Sequence, residues 1–440
     1  MTNQFLNAQE YANVMLLLLK NQLVFGRLVD GQFKDQVTDE NGLVINVKRP
    51  PRFVATSGAA LQAQDLVTGT QPVQVDQYKN VHISIGDLEY VQSFNALMQN
   101  ETMKSAASTL AHDTDKFIAS KTLGFNSWIA GTASGTISGN ASDPTKMIAS
   151  PNQAMAAHTR LMANGCPNSD LSAVVSFDDG QSIRGSLLSD FTPEINRSML
   201  ERVKIPIISE IDWYATQQTP SLTTGTRTQG DGSSTGAQIN GGTQNVNYRD
   251  VKGSAGTAGM TQSLILKNVG ASATIKAGEV FTIQNVFAWD WRQQVLLADL
   301  QQFTVTADAT ATGGGAVTVT ITPPIIVQGT VDSVDNKANS AFGTVGTIPA
   351  DSAYVKWAGA ASTVLRVKSA FHKRAIALVS ARLQMPFTGV ASFATDPDTG
   401  IAIRYWRGSD ITSGQHVHRW DMIYGASVMD NFLGTRICGS

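Results

Sequence analysis

Charge is what this sequence has least of. Asp, Glu, Lys and Arg make up 15% of its 440 residues, against about 25% in an ordinary soluble domain. A surface so poor in charge is covered either by uncharged polar residues facing water or by further copies of the chain, and both readings stand at this point. The balance is also flat, with 33 basic and 35 acidic residues. Only Lys48-Arg49-Pro50-Pro51-Arg52 groups basic residues, as an isolated stretch. This argues against a protein that grips nucleic acid by counterion release.

Cysteine is equally scarce. Cys166 and Cys438 stand far apart and outside any C-x-x-C pattern, which excludes a metal framework or a disulfide scaffold and suits a reducing compartment. Long apolar runs are missing too. The run at 14–19 follows Glu10 without a basic leader, so it reads as neither signal peptide nor membrane span. A soluble protein made in the cytoplasm is expected.

Glycine, by contrast, is unevenly spread. Residues 221–353 hold 17 of the 38 glycines inside a chain that otherwise reads as mixed α and β, and the flanking pattern resumes at Tyr354. An insertion of this kind is a module projecting from its host. Its strand-like pieces at 263–269, 279–286, 302–306 and 316–321 predict a small barrel or sandwich.

Around the insertion, helical spacing places Ala8, Tyr11, Ala12, Met15, Leu18 and Leu19 on one face of a short N-terminal helix. A loose stretch at 30–81 has strand-like pieces at 43–47, 73–75 and 81–85, and an arm lying on a neighbouring subunit would explain its sparse core pattern. A long spine helix is predicted over 101–123, with Met103, Ala106, Ala107, Leu110, Ala111, Thr114, Phe117 and Ile118 inward and Lys104, Asp113, Asp115 and Lys121 off the stripe. A further helical stretch is expected at 87–100. Helices at 152–163, 179–188 and 193–203 alternate with strands at 172–177 and 206–213. Strands at 374–383, 390–394, 401–407, 416–429 and 432–437 close the chain and pair with segments far back in sequence.

The chemical motifs are weak. His416 and His418 share one face of a strand but lack a third ligand, so a polar sheet edge is preferred. Asp396-Pro-Asp398-Thr-Gly400 lacks the later positions of a calcium loop and reads as a hairpin turn. Asp178 and Asp179 lie where Asp caps a following helix. The glycines at 230–236 lack the Gly-Lys-[Ser/Thr] of a phosphate cradle and read as a loop. Trp289 and Trp291 read as core, with a sugar-binding face as the other option.

Three stretches carry a family resemblance. They are Gly278-Glu-Val-Phe-Thr-Ile-Gln-Asn-Val286 with the strands at 300–305 and 316–323, Ala370-Phe-His-Lys-Arg-Ala-Ile-Ala-Leu-Val379 running to Met385-Pro386, and Arg419-Trp-Asp-Met-Ile-Tyr-Gly425. With them the chain resembles the major capsid proteins of tailed bacteriophages, in the coat-protein group of short-tailed Salmonella phages. The resemblance implies an α+β tailed-phage major capsid fold. Its parts are an N-terminal arm (1–34), an extended loop (35–82), a peripheral domain on the spine helix (83–124), an axial domain split into 125–220 and 354–440, and an inserted small all-β barrel domain (221–353). It implies self-assembly into an icosahedral shell around double-stranded DNA, through a scaffolded precursor that expands on packaging. Partners are then other copies, a scaffolding protein and a portal protein, with a decoration protein left open and only weak non-specific contact with DNA. No enzyme activity, cofactor, metal or membrane is implied. An insertion loop at 242–259 reaches a neighbouring capsomer in that family, which makes Arg249, Asp250 and Lys252 the contact candidates; solvated loop charge is the other reading of these three. A carbohydrate-binding β-protein using Trp289 and Trp291, and a hydrolase using Asp178, Asp179, His416 or His418, remain as readings from other classes.

Overall fold

The computed structural model describes residues 8–33, 43–58, 63–86, 101–125, 127–129, 148, 151–187, 205, 207–228, 236–242, 244–329, 334, 337–410 and 414–437. The helices expected at 87–100 and 193–203 lie outside these residues, as do Cys438, almost all of the 131–150 loop and the glycine-rich loop up to residue 235. The chain divides into two compact units, residues 1–45, 72–121 and 376–427 in the first and 46–71, 122–375 and 428–440 in the second.

In the first unit the two predicted amphipathic helices form as α1 (Ala8–Gln22) and α3 (Met103–Lys121), separated in chain order by the short α2 (Phe25–Leu28). Ala8, Tyr11, Ala12, Met15 and Leu19 are buried as their spacing requires, and Leu18 only partly. On α3 the stripe from Met103 to Ile118 is buried, apart from a half-buried Phe117. Each buried Leu or Ile there contributes roughly 1.5–3 kcal/mol. Asp115 departs from the expectation. It is 1% exposed, because its Oδ2 and Oδ1 accept hydrogen bonds from the backbone N–H groups of Val24 (2.7 Å) and Gly26 (3.0 Å) and so cap a helix not its own.

The sheet of this unit contains β3 (Gln77–Gly86), β18 (Ile376–Ala381), β19 (Val390–Thr395), β20 (Ala402–Asp410) and β21 (Gln415–Val428). β21 pairs antiparallel with β20 on one side and, across some 330 residues of sequence, with β3. His418, Trp420, Met422 and Tyr424 are buried on one face, where Tyr405 stacks on Tyr11 of α1 at 5.3 Å, and of the residues between them only Asp421 is also buried. A slip of one residue would turn all four outward, so burial fixes the register.

Among its described residues the second unit has two two-stranded pairs and two large sheets. One has the order β4 (Ser127–Ile129), β22 (Gly434–Ile437), β17 (Lys368–His372), β5 (Leu171–Val175) and β6 (Asp212–Ala215). Helices α4 (Pro151–Ala163) and α5 (Phe177–Leu187) share a core with it through Ala157, Leu161, Ile183, Ala173 and Trp213. The other is the insertion, a six-stranded sheet ordered β15 (Val355–Trp357), β11 (Val280–Asp290), β12 (Val295–Val305), β14 (Val317–Thr322), β9 (Gln262–Lys267) and β8 (Gln238–Ile239). The edges meet where Gln238 bridges Tyr354 and the Val355 N–H donates to Ala237 O, nearly closing a barrel. β12 begins at Val295, well before the expected 302. Beside the barrel, β7 (Ser221–Thr223) and β16 (Val364–Arg366) form a two-stranded antiparallel neck.

Candidate functional site, an arginine clasp on the insertion

The loose stretch expected to lie on a neighbouring subunit packs, in its described residues from Arg49 to Thr70, on the insertion of its own chain. Pro50 and Pro51 hold the backbone extended, which carries Arg49 and Arg52 to different partners. Arg49 Nη2 donates to Gln71 Oε1 (3.1 Å) and Gly259 O (3.3 Å), and its burial works against its charge. The Arg52 guanidinium lies 4.5 Å from the Trp291 ring and 5.2 Å from the Phe342 ring, with Asp430 at 3.4 Å. Phe342 is stacked in turn on Tyr248 at 3.6 Å and 4°. These rings and Val67, Met260 and Ile326 make a satellite core under the loop.

Backbone completes the clasp. Thr70 N donates to Lys252 O, Arg49 N to Gly69 O, and Gly256 N to Asn46 Oδ1. Gly69 and Gly259 crowd the Lys252 carbonyl so closely that a Cβ on either would stand 2.2 Å from that oxygen. Gly253, with φ +83°, makes the turn between them. Such a pile of glycine and carbonyl leaves no room for side chains, and it positions the 254–258 tip.

Where the insertion meets its host, charges are buried. Arg227 Nε lies 2.5 Å from Glu279 Oε2 with neither side chain exposed, and its guanidinium covers Trp357 at 4.5 Å. Arg436 of β22, fully buried, donates to the carbonyls of Gly278 (2.6 Å) and Leu123.

Of the contact candidates, Asp250 is exposed on α6 (Tyr248–Val251), and Arg249 and Lys252 are half-buried. Arg249 Nη2 is 3.2 Å from Asp65 of the same chain. The other motifs fall in scattered places. Ser176, not Asp178 or Asp179, caps α5: the Asp179 N–H donates to Ser176 Oγ, while the buried Asp179 carboxylate pairs with Lys368 at 2.9 Å and exposed Asp178 with Arg366 at 3.1 Å. His418 is buried against the Tyr405 hydroxyl at 2.6 Å; burial, with Arg407 and His416 adding to it, lowers its pKa to about 4. Among the described residues no three His, Cys, Asp or Glu side chains converge. Asp396 to Gly400 turns between β19 and β20, and the Lys20 ammonium sits between Asp396 (3.0 Å) and Asp398 (2.5 Å), where a cation loop would place its ion.

Trp289 and Trp291 correct the core reading. Both are half-buried and outside the barrel core; Trp291 has Arg52 at 4.5 Å and Arg292 at 5.4 Å about its ring, which leaves no open platform for a sugar. Arg49 and Arg52 were visible in the sequence only as a basic stretch set aside for its isolation. The two prolines inside it were the signal of an extended docking segment.

No curated protein matches the sequence. Among solved structures the chain is similar to that of Mycobacterium phage Che8 (13% identity, TM-score 0.44, 94% of this chain and 90% of that one). It is also similar to the capsid of cyanophage P-SCSP1u (10%, TM-score 0.41, 95% and 88%) and to the CUS-3 coat protein I-domain (23%, TM-score 0.21, 29% and 97%). The family described as P22 coat protein, gene protein 5, matches residues 15–439. The chain belongs to that family of structural, non-enzymatic proteins, and is the major capsid protein of a tailed phage, joining copies of itself in the shell of the virion.

Proposed function

We propose that this chain builds its shell on a scaffolding protein, as a precursor that takes in a portal and expands when double-stranded DNA is packaged, with only weak contact to that DNA. The observation carrying this reading is the clasp. The described residues of 46–71 are fastened to the insertion largely by guanidinium, ring and backbone contacts, each of modest strength. Such a loop can be re-seated without dissolving the barrel core, as a lattice with two states requires. In this reading the arm, loop and peripheral parts keep the limits read from the sequence, and the β7–β16 neck sets the insertion at residues 224–363, which leaves the axial parts as 125–223 and 364–440. Asp250 and Lys252, with Arg249 shared with Asp65, are its inter-capsomer contacts.

The test is electron microscopy and sedimentation of the chain expressed alone and beside its genomic neighbours. Shells should form faithfully only with the neighbours, and DNA-free precursors should be smaller than filled particles. Equal diameters would overturn expansion, and uniform closed shells from the chain alone would overturn the need for scaffold. Asp250→Ala and Lys252→Ala should weaken shells to heat while the subunit melts unchanged; unaltered shells would remove these residues from the contact.

A further inference from the structure

The first unit's sheet has a second face, opposite to the one that carries Tyr405 and Trp420. Register places Phe393, Arg404 and Asp421 in one row across β19, β20 and β21, and Trp406, Arg419 and His82 in the next across β20, β21 and β3. Arg404 and Arg419 both bind Asp421, at 2.6 and 2.5 Å, and bury it. Arg419 also donates to the Tyr78 hydroxyl at 2.7 Å. Guanidinium and ring alternate: Arg382 over Phe393 at 5.6 Å, Arg404 and Arg419 over Trp406 at 5.9 and 6.0 Å, Arg419 over Tyr78 at 5.7 Å. Beside this ladder, between β18 and β19, Phe387 is fully exposed and Met385 close to half exposed, as is Val390 at the start of β19.

Trp, Tyr, Phe, Met and Arg gathered on one rigid face are the composition of an interface hot spot. Three arginines against Asp421 give the face two net positive charges. The chain as a whole carries −2, so the residues outside this face sum to four negative charges, and a second copy has the excess of carboxylates that a basic face calls for.

We propose that the sheet face centred on Trp406 and Arg419, with its apolar rim at Met385 and Phe387, is a docking surface for an acid-bearing surface of a second copy of this chain. The inference rests on the coat-protein reading and adds the place where a neighbour sits. A ring in free solution at Phe387 has no structural work in the subunit, so its replacement tests contact without disturbing the fold.

The experiment compares the full-length chain with Phe387→Asp and Arg382→Glu in shells formed beside the genomic neighbours, with hydroxyl-radical footprinting of free subunit and shell. Both variants should melt as the wild type does yet assemble at least about ten-fold less well at equal concentration, and Met385, Phe387 and Trp406 should be protected several-fold in wild-type shells. Normal assembly of both variants would overturn the proposal. Wild-type shells whose Met385, Phe387 and Trp406 stay as oxidisable as in the free subunit would also overturn it, and leave the face to a different partner. A wild type that forms no shell under any condition would overturn the coat reading and this inference together, so the two failures are distinguishable.

Discussion

Arg227 and Glu279 form an ion pair with both side chains wholly buried at the foot of the barrel. Burial lowers the Arg227 pKa and Glu279 opposes that shift. Glu279 Oε1 meanwhile accepts the backbone N–H groups of Gly225 and Lys276. The pair thus joins the strand entering the insertion to the first turn of its main hairpin.

Removal of one partner leaves the other charged in a dry site and is expected to cost about 3–5 kcal/mol. Arg227→Met and Glu279→Leu should each lower the urea midpoint, and the double replacement should recover much of the loss. Urea titrations of the three variants form a cycle; simple additivity would show the two residues uncoupled.

Asp115 and His418 act oppositely on the acid stability of the first unit. Burial, against backbone donors, raises the Asp115 carboxyl to about 6. The folded unit therefore holds a proton that the unfolded chain has released, and the stability this gives is full below about pH 4 and lost as pH rises through 6. His418 is held neutral down to about 4. Its contribution is full above about pH 6.5 and lost as pH falls to about 4. Asp115→Asn should make stability fall more steeply on acidification, and His418→Gln less steeply. Melting temperatures between pH 4 and 7 check this, and equal shifts at every pH would contradict both assignments.

Gly69→Ala should open the clasp, because the added carbon meets the backbone of Lys252 and no side chain can swing away. Trypsin should then cut after Lys48 and Arg52 about ten-fold faster while the barrel still melts cooperatively. Unchanged cleavage would mean that the loop holds without the close approach.

Arg52→Ala should weaken the same seat by about 1 kcal/mol, through lost ring contacts at Trp291 and Phe342. Arg52→Lys should recover part of it, since an ammonium lacks the flat face that lies between two rings. Hydrogen exchange across residues 63–70 reads the difference.

Periodicity made α1, α3 and the strands from 390 onward legible, since each buries one face and the repeat of apolar residues records it. Glycine content and turns likewise marked the barrel. Asp115 was misread because polarity alone put it outside; its place is set by Val24 and Gly26, 89 and more residues away. Arg49, Arg52 and Gly69 were illegible as a site for the same reason: a loop docked on a distant surface has no period of its own. Trp289 and Trp291 alternate like core residues, but the hairpin carrying them runs past the barrel, a matter of strand length that short-range pattern does not encode.

The neck has a practical consequence. Thr223 and Val364 are register partners, so the two cut ends that would remain after residues 224–363 were taken out lie about 5 Å apart. Any compact cargo whose own termini are that close, an enzyme or an antigen, could be spliced there without stretching the subunit, and each particle would then carry as many copies of it as it has subunits.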